Sequence, residues 1–218
     1  TLLKTGFPLA IRTDVSRAET QFGHLTRPTH ANTSWDKARF ETSMHRWVDL
    51  SEAGFGVAAL NDCKYGYDAK GSPLRLTLVK SPIFPWPEAD QGEHRLRYAL
   101  LVHAGDLQAV HNAATAFNQP LRLLAGAATT APSLTALATL SSDQIAIETV
   151  KQSDDGKRTV LRLWETQNQA GTVTLTLPNA TRISETDLYE TDTTLLADSA
   201  NTIDLTFKPF EIKTIALG

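Results

Sequence analysis

The chain holds 218 residues, enough for one large domain or two modest ones, each with its own buried core. Hydrophobic residues make up 41% and charged residues 21%, an ordinary balance for a soluble globular protein. A formal net charge of −3 leaves no surplus of Lys and Arg to neutralise phosphates, so a nucleic-acid partner is not expected. No apolar run is long enough to span a bilayer, so no membrane partner is expected either.

The chain opens with TLLKTGFPLAIRTD, which reads as a strand and lacks the charged-then-apolar layout of a signal peptide. With no initiator Met, the chain is expected to be a piece of something longer. One cysteine, Cys63, excludes an intrachain disulfide and fits a reducing compartment, so a cytoplasmic location is expected.

Further on, GFGVAAL and LRLTLVK read as two strands, with Leu74, Leu76 and Leu78 on one face of the second. Between them lie Asn61, Asp62, Lys64, Tyr65, Gly66, Tyr67 and Asp68, far more functional groups than a turn requires. The cluster therefore reads as a ligand-facing loop or as an over-furnished hairpin. FPWPEADQGEH reads as a Pro-rich loop whose Trp86 either covers a sheet edge or stacks on a sugar ring. Leu96, Tyr98, Leu100 and Val102 then share one strand face, opposite Arg95, Arg97 and His103.

The rhythm breaks at GDLQAVHNAATAFNQPL. Asp106 can cap a helix, Leu107, Val110, Ala114 and Phe117 recur at helical spacing, and Pro120 stops it. Residues 123–140, rich in Ala, Thr and Ser and without charge, read as a connection, which puts a domain boundary near residue 134. Beyond it, Asp155-Gly156 signals a tight hairpin, and Trp164 reads as core. Val173, Leu175 and Leu177 alternate with threonines; Ile203, Leu205 and Phe207 follow the same pattern, and Ile212–Leu217 reads as the last strand. The fold class is all-β with one short helix, divided into residues 1–134 and 135–218.

Chemistry is sparse. The six histidines are scattered, and none forms an i, i+4 pair with a Glu between, so no metal site is expected in the chain. No G-x-S-x-G elbow or phosphate-cradling glycine loop is present. Cys63 reads as a small packing residue rather than a nucleophile. Asp62, Asp68, Glu88, Asp90, Glu93 and Glu165 are candidate carboxylates, but a glycosidase needs two held about 5–10 Å apart, and spacing alone pairs none of them.

The stretch from NTSWDKARFETSMHRWVDLSEAGFGVAALNDCKYGYDAKG to LRYALLVHAG, with VLRLWE and FKPFEIKTIAL near the end, resembles the C-terminal region of family 38 glycoside hydrolases, the retaining α-mannosidases. The likeness is greatest to the bacterial and cytosolic branch and covers essentially the whole chain. It implies part of a galactose-mutarotase-like supersandwich followed by a small terminal β-sandwich. It also implies that the nucleophile and a zinc ion belong to an N-terminal catalytic domain outside these residues. That domain and an α-mannoside are then the expected partners, with homo-oligomerisation open.

N-D-x-K-Y-G is similar to a family loop that comes up beside the sugar pocket. The resemblance gives Asn61, Asp62, Lys64 and Tyr65 the role of bonding sugar hydroxyls or orienting groups that do, with Gly66 letting the backbone pass close. Alone, the chain is expected to be inactive, with no catalytic residue and no metal ligand of its own. Two rivals remain: an independent carbohydrate-binding module using Trp86 or the Tyr65/Tyr67 pair, and a purely structural or oligomerisation domain in which Asp62 and Lys64 only pair across an interface.

Overall fold

The computed structural model describes residues 1–71, 73–121, 126, 136–180, 182–191 and 193–218. They fall into two compact units, Thr1–Leu121 and Arg122–Gly218. The boundary expected near residue 134 lies outside the described residues.

Unit 1 contains β1 (Leu2–Pro8), β2 (Val15–Thr20), β3 (Gly23–Pro28), α1 (Ser34–Ala38), β4 (Thr42–Ser43), β5 (Trp47–Glu52), β6 (Phe55–Asn61), β7 (Gly66–Asp68), β8 (Pro73–Lys80), β9 (Tyr98–His103) and α2 (Leu107–Asn118). The strands form two antiparallel sheets, ordered β1-β8-β7-β4 and β3-β2-β5-β6-β9. Alternation fills the space between them: Ala18, Val48, Leu50 and Ala59 from the larger sheet meet Tyr67, Leu74 and Leu76 from the smaller. The outer face of the larger sheet is covered by α2, whose Val110 and Ala114 pack on Trp47, Ala58 and Leu60.

The α2 cap forms as expected, with Asp106 accepting a hydrogen bond from Gln108 N at 2.8 Å. The chain passes from β5 to β6 through Ala53 and Gly54, and Gly54 supplies the positive φ (+74°) that so short a turn requires.

Two features of unit 1 depart from the sequence reading. A second, five-residue helix, α1, stands before β4. Its signal is a capping box: Thr33 Oγ1 accepts from Asp36 N and Asp36 Oδ2 accepts from Thr33 N, both at 3.1 Å. The faces of β9 are also the reverse of their apolar pattern. Ala99 and Leu101 pack under α2 and His103 is buried, while Tyr98, Leu100 and Val102 are exposed. The helix, arriving from later in the chain, decides which face is covered.

Unit 2 contains β10 (Thr139–Leu140), β11 (Ile145–Gln152), β12 (Thr159–Glu165), β13 (Gly171–Thr176), β14 (Arg182–Thr186), β15 (Thr193–Asp198), β16 (Thr202–Phe207) and β17 (Ile212–Leu217). Its sheets are ordered β10-β13-β16 and β11-β12-β17-β14-β15. Val173, Leu175, Leu205 and Phe207 from the small sheet pack on Leu161, Leu163, Ile183 and Ile215 from the large one, a β-sandwich core read directly from period-two alternation. Trp164 is buried, with Nε1 donating to Glu148 Oε2 at 3.0 Å.

The Asp155-Gly156 connection is wider than a two-residue turn. Ladder pairing stops at Gln152 and Thr159, and Ser153 N donates to Arg158 O at 2.9 Å. Asp155 Oδ1 accepts from Ser153 Oγ and Lys157 N, which holds the longer loop closed.

Candidate functional site: the loop between β6 and β7

β6 delivers the chain to the loop at Asn61, and β7 takes it back at Gly66. Asn61 is buried and both ends of its amide are engaged. Nδ2 donates to His45 O at 2.6 Å, and Oδ1 accepts from Lys64 N at 2.7 Å. Its carbonyl accepts from Asn118 Nδ2 at 3.1 Å, which ties the loop to the end of α2. Asn61 therefore shapes the turn.

Asp62 meets Arg97, 35 residues away. Oδ1 accepts from Arg97 N at 3.2 Å and Oδ2 from Arg97 Nε at 3.0 Å. The same guanidinium lies 5.2 Å from the centre of the Phe117 ring. The pairing of Asp62 is thus with Arg97 in its own unit rather than with Lys64.

At the tip, Cys63 is exposed instead of packed, and Tyr65 is 54% exposed. The Tyr65 ring leans on His45, with centroids 5.9 Å apart and planes tilted by 52°. The Lys64 ammonium and the Tyr65 hydroxyl make no hydrogen bond or ion pair among the described residues, so both groups are available to an acceptor or donor from elsewhere.

Gly66 is required by a close approach inside the protein. A Cβ there would come within 2.6 Å of Glu41 Oε1 and 3.0 Å of Thr77 Cβ. Tyr67 and Asp68 turn inward, Tyr67 into the core and Asp68 onto Lys4 Nζ and Arg75 Nε, each at 2.7 Å. Tyr65 and Tyr67 therefore do not form one aromatic platform.

The electrostatics of the tip are coupled. The Cys63 thiol, donating to the Asp62 carboxylate, is the largest influence holding Asp62 below the ordinary carboxylate range, with Arg97 adding to it. The same hydrogen bond pushes the Cys63 pKa up, so the sulfur is held as a thiol rather than a nucleophilic thiolate. Because Asp62 titrates lower in the fold than in the unfolded chain, its stabilising contribution is full above the unfolded value. It is lost as pH falls through the depressed folded value. Cys63→Ala is expected to raise the Asp62 midpoint toward the ordinary range, read from the carboxyl 13C shift in an NMR titration. An unchanged midpoint would show that the thiol has no such influence.

The other candidates are dispersed. Trp86 is 62% exposed. Glu88, Glu93 and Trp86 lie on the exposed connection between β8 and β9, while Glu165 is fully buried in unit 2. No group of three or more His, Cys, Asp or Glu side chains among the described residues could hold a metal ion. No helix among them is long and apolar enough to cross a membrane. Arg97, His45 and Asn118 complete the loop's surroundings and escaped the sequence reading. Each reaches it through tertiary contact, with no local spacing to announce it.

Two sequence models of one family match this chain. The glycosyl hydrolases family 38 C-terminal domain matches residues 1–88, and the family 38 C-terminal beta sandwich domain matches residues 144–215. The chain belongs to glycosyl hydrolase family 38. As a family 38 chain it is similar to human alpha-mannosidase 2C1, at 42% identity over 224 residues, which is 99% of this chain and 21% of that protein. Alpha-mannosidase G of Dictyostelium discoideum is 37% identical over 227 residues, covering 98% of this chain and 20% of that protein.

The family 38 chain thus spans about a fifth of the length of these relatives, and it corresponds to a C-terminal part of them. The crystal structure of an alpha-mannosidase from Enterococcus faecalis V583 superimposes with a TM-score of 0.81 at 22% identity. It covers the whole of this family 38 chain with 26% of its own, a likeness of fold.

Proposed function

We propose that this chain is the C-terminal β-domain of a retaining, zinc-dependent α-mannosidase, bracing its catalytic domain and lending the β6–β7 loop to the sugar pocket. The observation that carries this reading is the division of labour within the loop. Asn61 and Asp62 satisfy the turn, while the Lys64 ammonium and Tyr65 hydroxyl stand at the tip without partners among the described residues. A hairpin that only joined two strands would need neither group.

In this reading Lys64 donates to a mannose hydroxyl and Tyr65 offers its hydroxyl and ring edge. Asn61 and Asp62 hold them in register, and Gly66 lets β7 close beneath them. The described residues do not gather into a zinc site, and the reading assigns zinc and the two reacting carboxylates to a preceding catalytic domain. The human and Dictyostelium relatives, named as alpha-mannosidases over a much greater length, support that assignment.

The test uses the full-length protein that carries this chain, with an aryl α-mannoside as substrate. Lys64→Ala is expected to lower kcat/KM by about 10- to 100-fold, the loss of one charge-assisted hydrogen bond in a closed site. Its thermal midpoint should stay within about 2 °C of the parent, since the ammonium makes no hydrogen bond or ion pair among the described residues. A Lys64→Ala enzyme with unchanged kcat/KM would leave the chain a structural domain only.

A further inference from the structure

A second site lies on the far side of β7 from the loop. A cavity of about 340 Å³, within the range of small-molecule sites, opens between β2, β3 and the α1–β4 segment. Its wall carries three cations, Arg27, Arg39 and Lys70, and none has a carboxylate within 4.0 Å among the described residues. Among the described residues the Arg27 guanidinium donates to Tyr67 Oη alone, at 3.4 Å, and Lys70 Nζ to the carbonyls of Pro28 and His30 alone. The Arg39 guanidinium is exposed and makes no hydrogen bond among the described residues.

Two of the three carboxylates on the same wall are engaged by partners of their own: Asp68 is neutralised by Lys4 and Arg75, and Asp36 is held by Thr33. Glu41 Oε1 accepts from Thr77 Oγ1, while its Oε2, 3.9 Å from Lys4 Nζ, is buried and accepts no hydrogen bond among the described residues. Three cations that face no carboxylate, on a wall where Asp68 and Asp36 are held by other groups, can take an anion, and guanidiniums match the planar, multiple acceptors of phosphate or carboxylate. Beside them stand the hydroxyls of Ser16 and Tyr67, 3.1 Å apart, which can exchange hydrogen bonds with hydroxyls of a ligand.

We propose that this cavity binds a phosphate monoester of a small polyol, with the phosphate on Arg27 and Arg39 and the polyol against Tyr67 and Ser16. The inference goes beyond the scaffold reading and does not depend on it, since the β6–β7 loop tip takes no part.

Isothermal titration of the 218-residue chain with glucose 6-phosphate, inorganic phosphate and glucose tests it. Glucose 6-phosphate is expected to bind with a dissociation constant below about 1 mM. Inorganic phosphate should bind more weakly, and glucose should give no heat. Arg39→Ala should weaken the ester by about tenfold or more, as should Arg27→Gln. Arg95→Ala, whose guanidinium pairs with Glu93 on a separate exposed loop, should change nothing.

Arg39 is exposed and holds no element in place through its guanidinium, so its alanine variant should keep the parent's thermal midpoint and report on binding alone. Absence of binding by either phosphate, or binding indifferent to Arg39→Ala, overturns the proposal. Inorganic phosphate binding as tightly as the ester overturns the polyol half of it.

Discussion

Glu19→Ala is expected to destabilise unit 1 by about 3–5 kcal/mol, because it removes one partner of a buried ion pair and strands the other. Glu19, on β2, is buried, and its carboxylate takes Arg46 N at 2.8 Å, Arg46 Nε at 3.0 Å and Arg46 NH2 at 2.5 Å. His111 Nδ1 of α2 stands 3.9 Å from the same carboxylate, and Arg46 NH1 reaches on to Thr115 of α2 at 3.1 Å. The pair therefore clamps the helix to the sheet as well as joining two strands.

The consequence extends to the loop. Asn118 at the end of α2 donates to Asn61 O, so a loosened helix frees the start of the β6–β7 connection. Amide exchange should show α2 and residues 61–65 losing protection together, with a fall in the thermal midpoint. A variant that lost less than about 1 kcal/mol, with α2 protection intact, would show that the apolar packing of Val110 and Ala114 holds the helix unaided. Glu19→Gln keeps the shape of the side chain and should fall between the two.

The second large effect is expected in unit 2. Glu165 is fully buried, and its two oxygens accept from Gln167 N, Gln169 N and Phe210 N at 2.7, 3.1 and 2.9 Å. Those donors sit on two separate loops, each containing a non-glycine residue at positive φ, Asn168 at 62° and Phe210 at 56°. A Phe in that region is costly by itself and persists only where its surroundings impose it.

Glu165→Ala leaves three backbone donors without their acceptor and removes the tie that imposes the strain. A loss of about 3–5 kcal/mol is expected. At about 4–8 °C per kcal/mol for a domain of this size, the midpoint of unit 2 should fall by more than about 10 °C. Calorimetry of the intact chain reads it directly. A fall under about 3 °C would mean that water replaces the carboxylate at little cost. Glu165→Gln retains one acceptor oxygen and should lose about half as much.

The sandwich of unit 2 was legible because its signal is local. Val173, Leu175 and Leu205 alternate with polar neighbours, and alternation is a property of the strand itself. The capped helix α2 was legible for the same reason, through Asp106 and the spacing of Val110 and Ala114. The faces of β9 were not, since Leu100 and Val102 are as apolar as Ala99 and Leu101, and only the arrival of α2 chooses between them. The short helix α1 did carry a sign in Thr33 and Asp36, which a reading tuned to apolar periodicity passes over.

The candidate loop was legible as an excess of functional groups over what a turn needs. Which of those groups remain unengaged was not legible, because the answer depends on His45, Arg97 and Asn118 arriving from other strands and from the helix. Glu19 with Arg46, and Glu165 with Phe210, are hidden for the same reason: the partners stand 27 and 45 residues apart. The cavity over Tyr67 depends likewise on Arg27, Arg39 and Lys70 converging from separate segments.

Cys63 has a practical use. It is the only sulfhydryl in the sequence, exposed beside Lys64, and held protonated by its neighbour Asp62. A thiol-directed dye applied under mildly alkaline conditions would thus mark one place, the crest of the loop. Its emission would signal when something settles over Lys64 and Tyr65, making the molecule its own sensor for whatever it meets there.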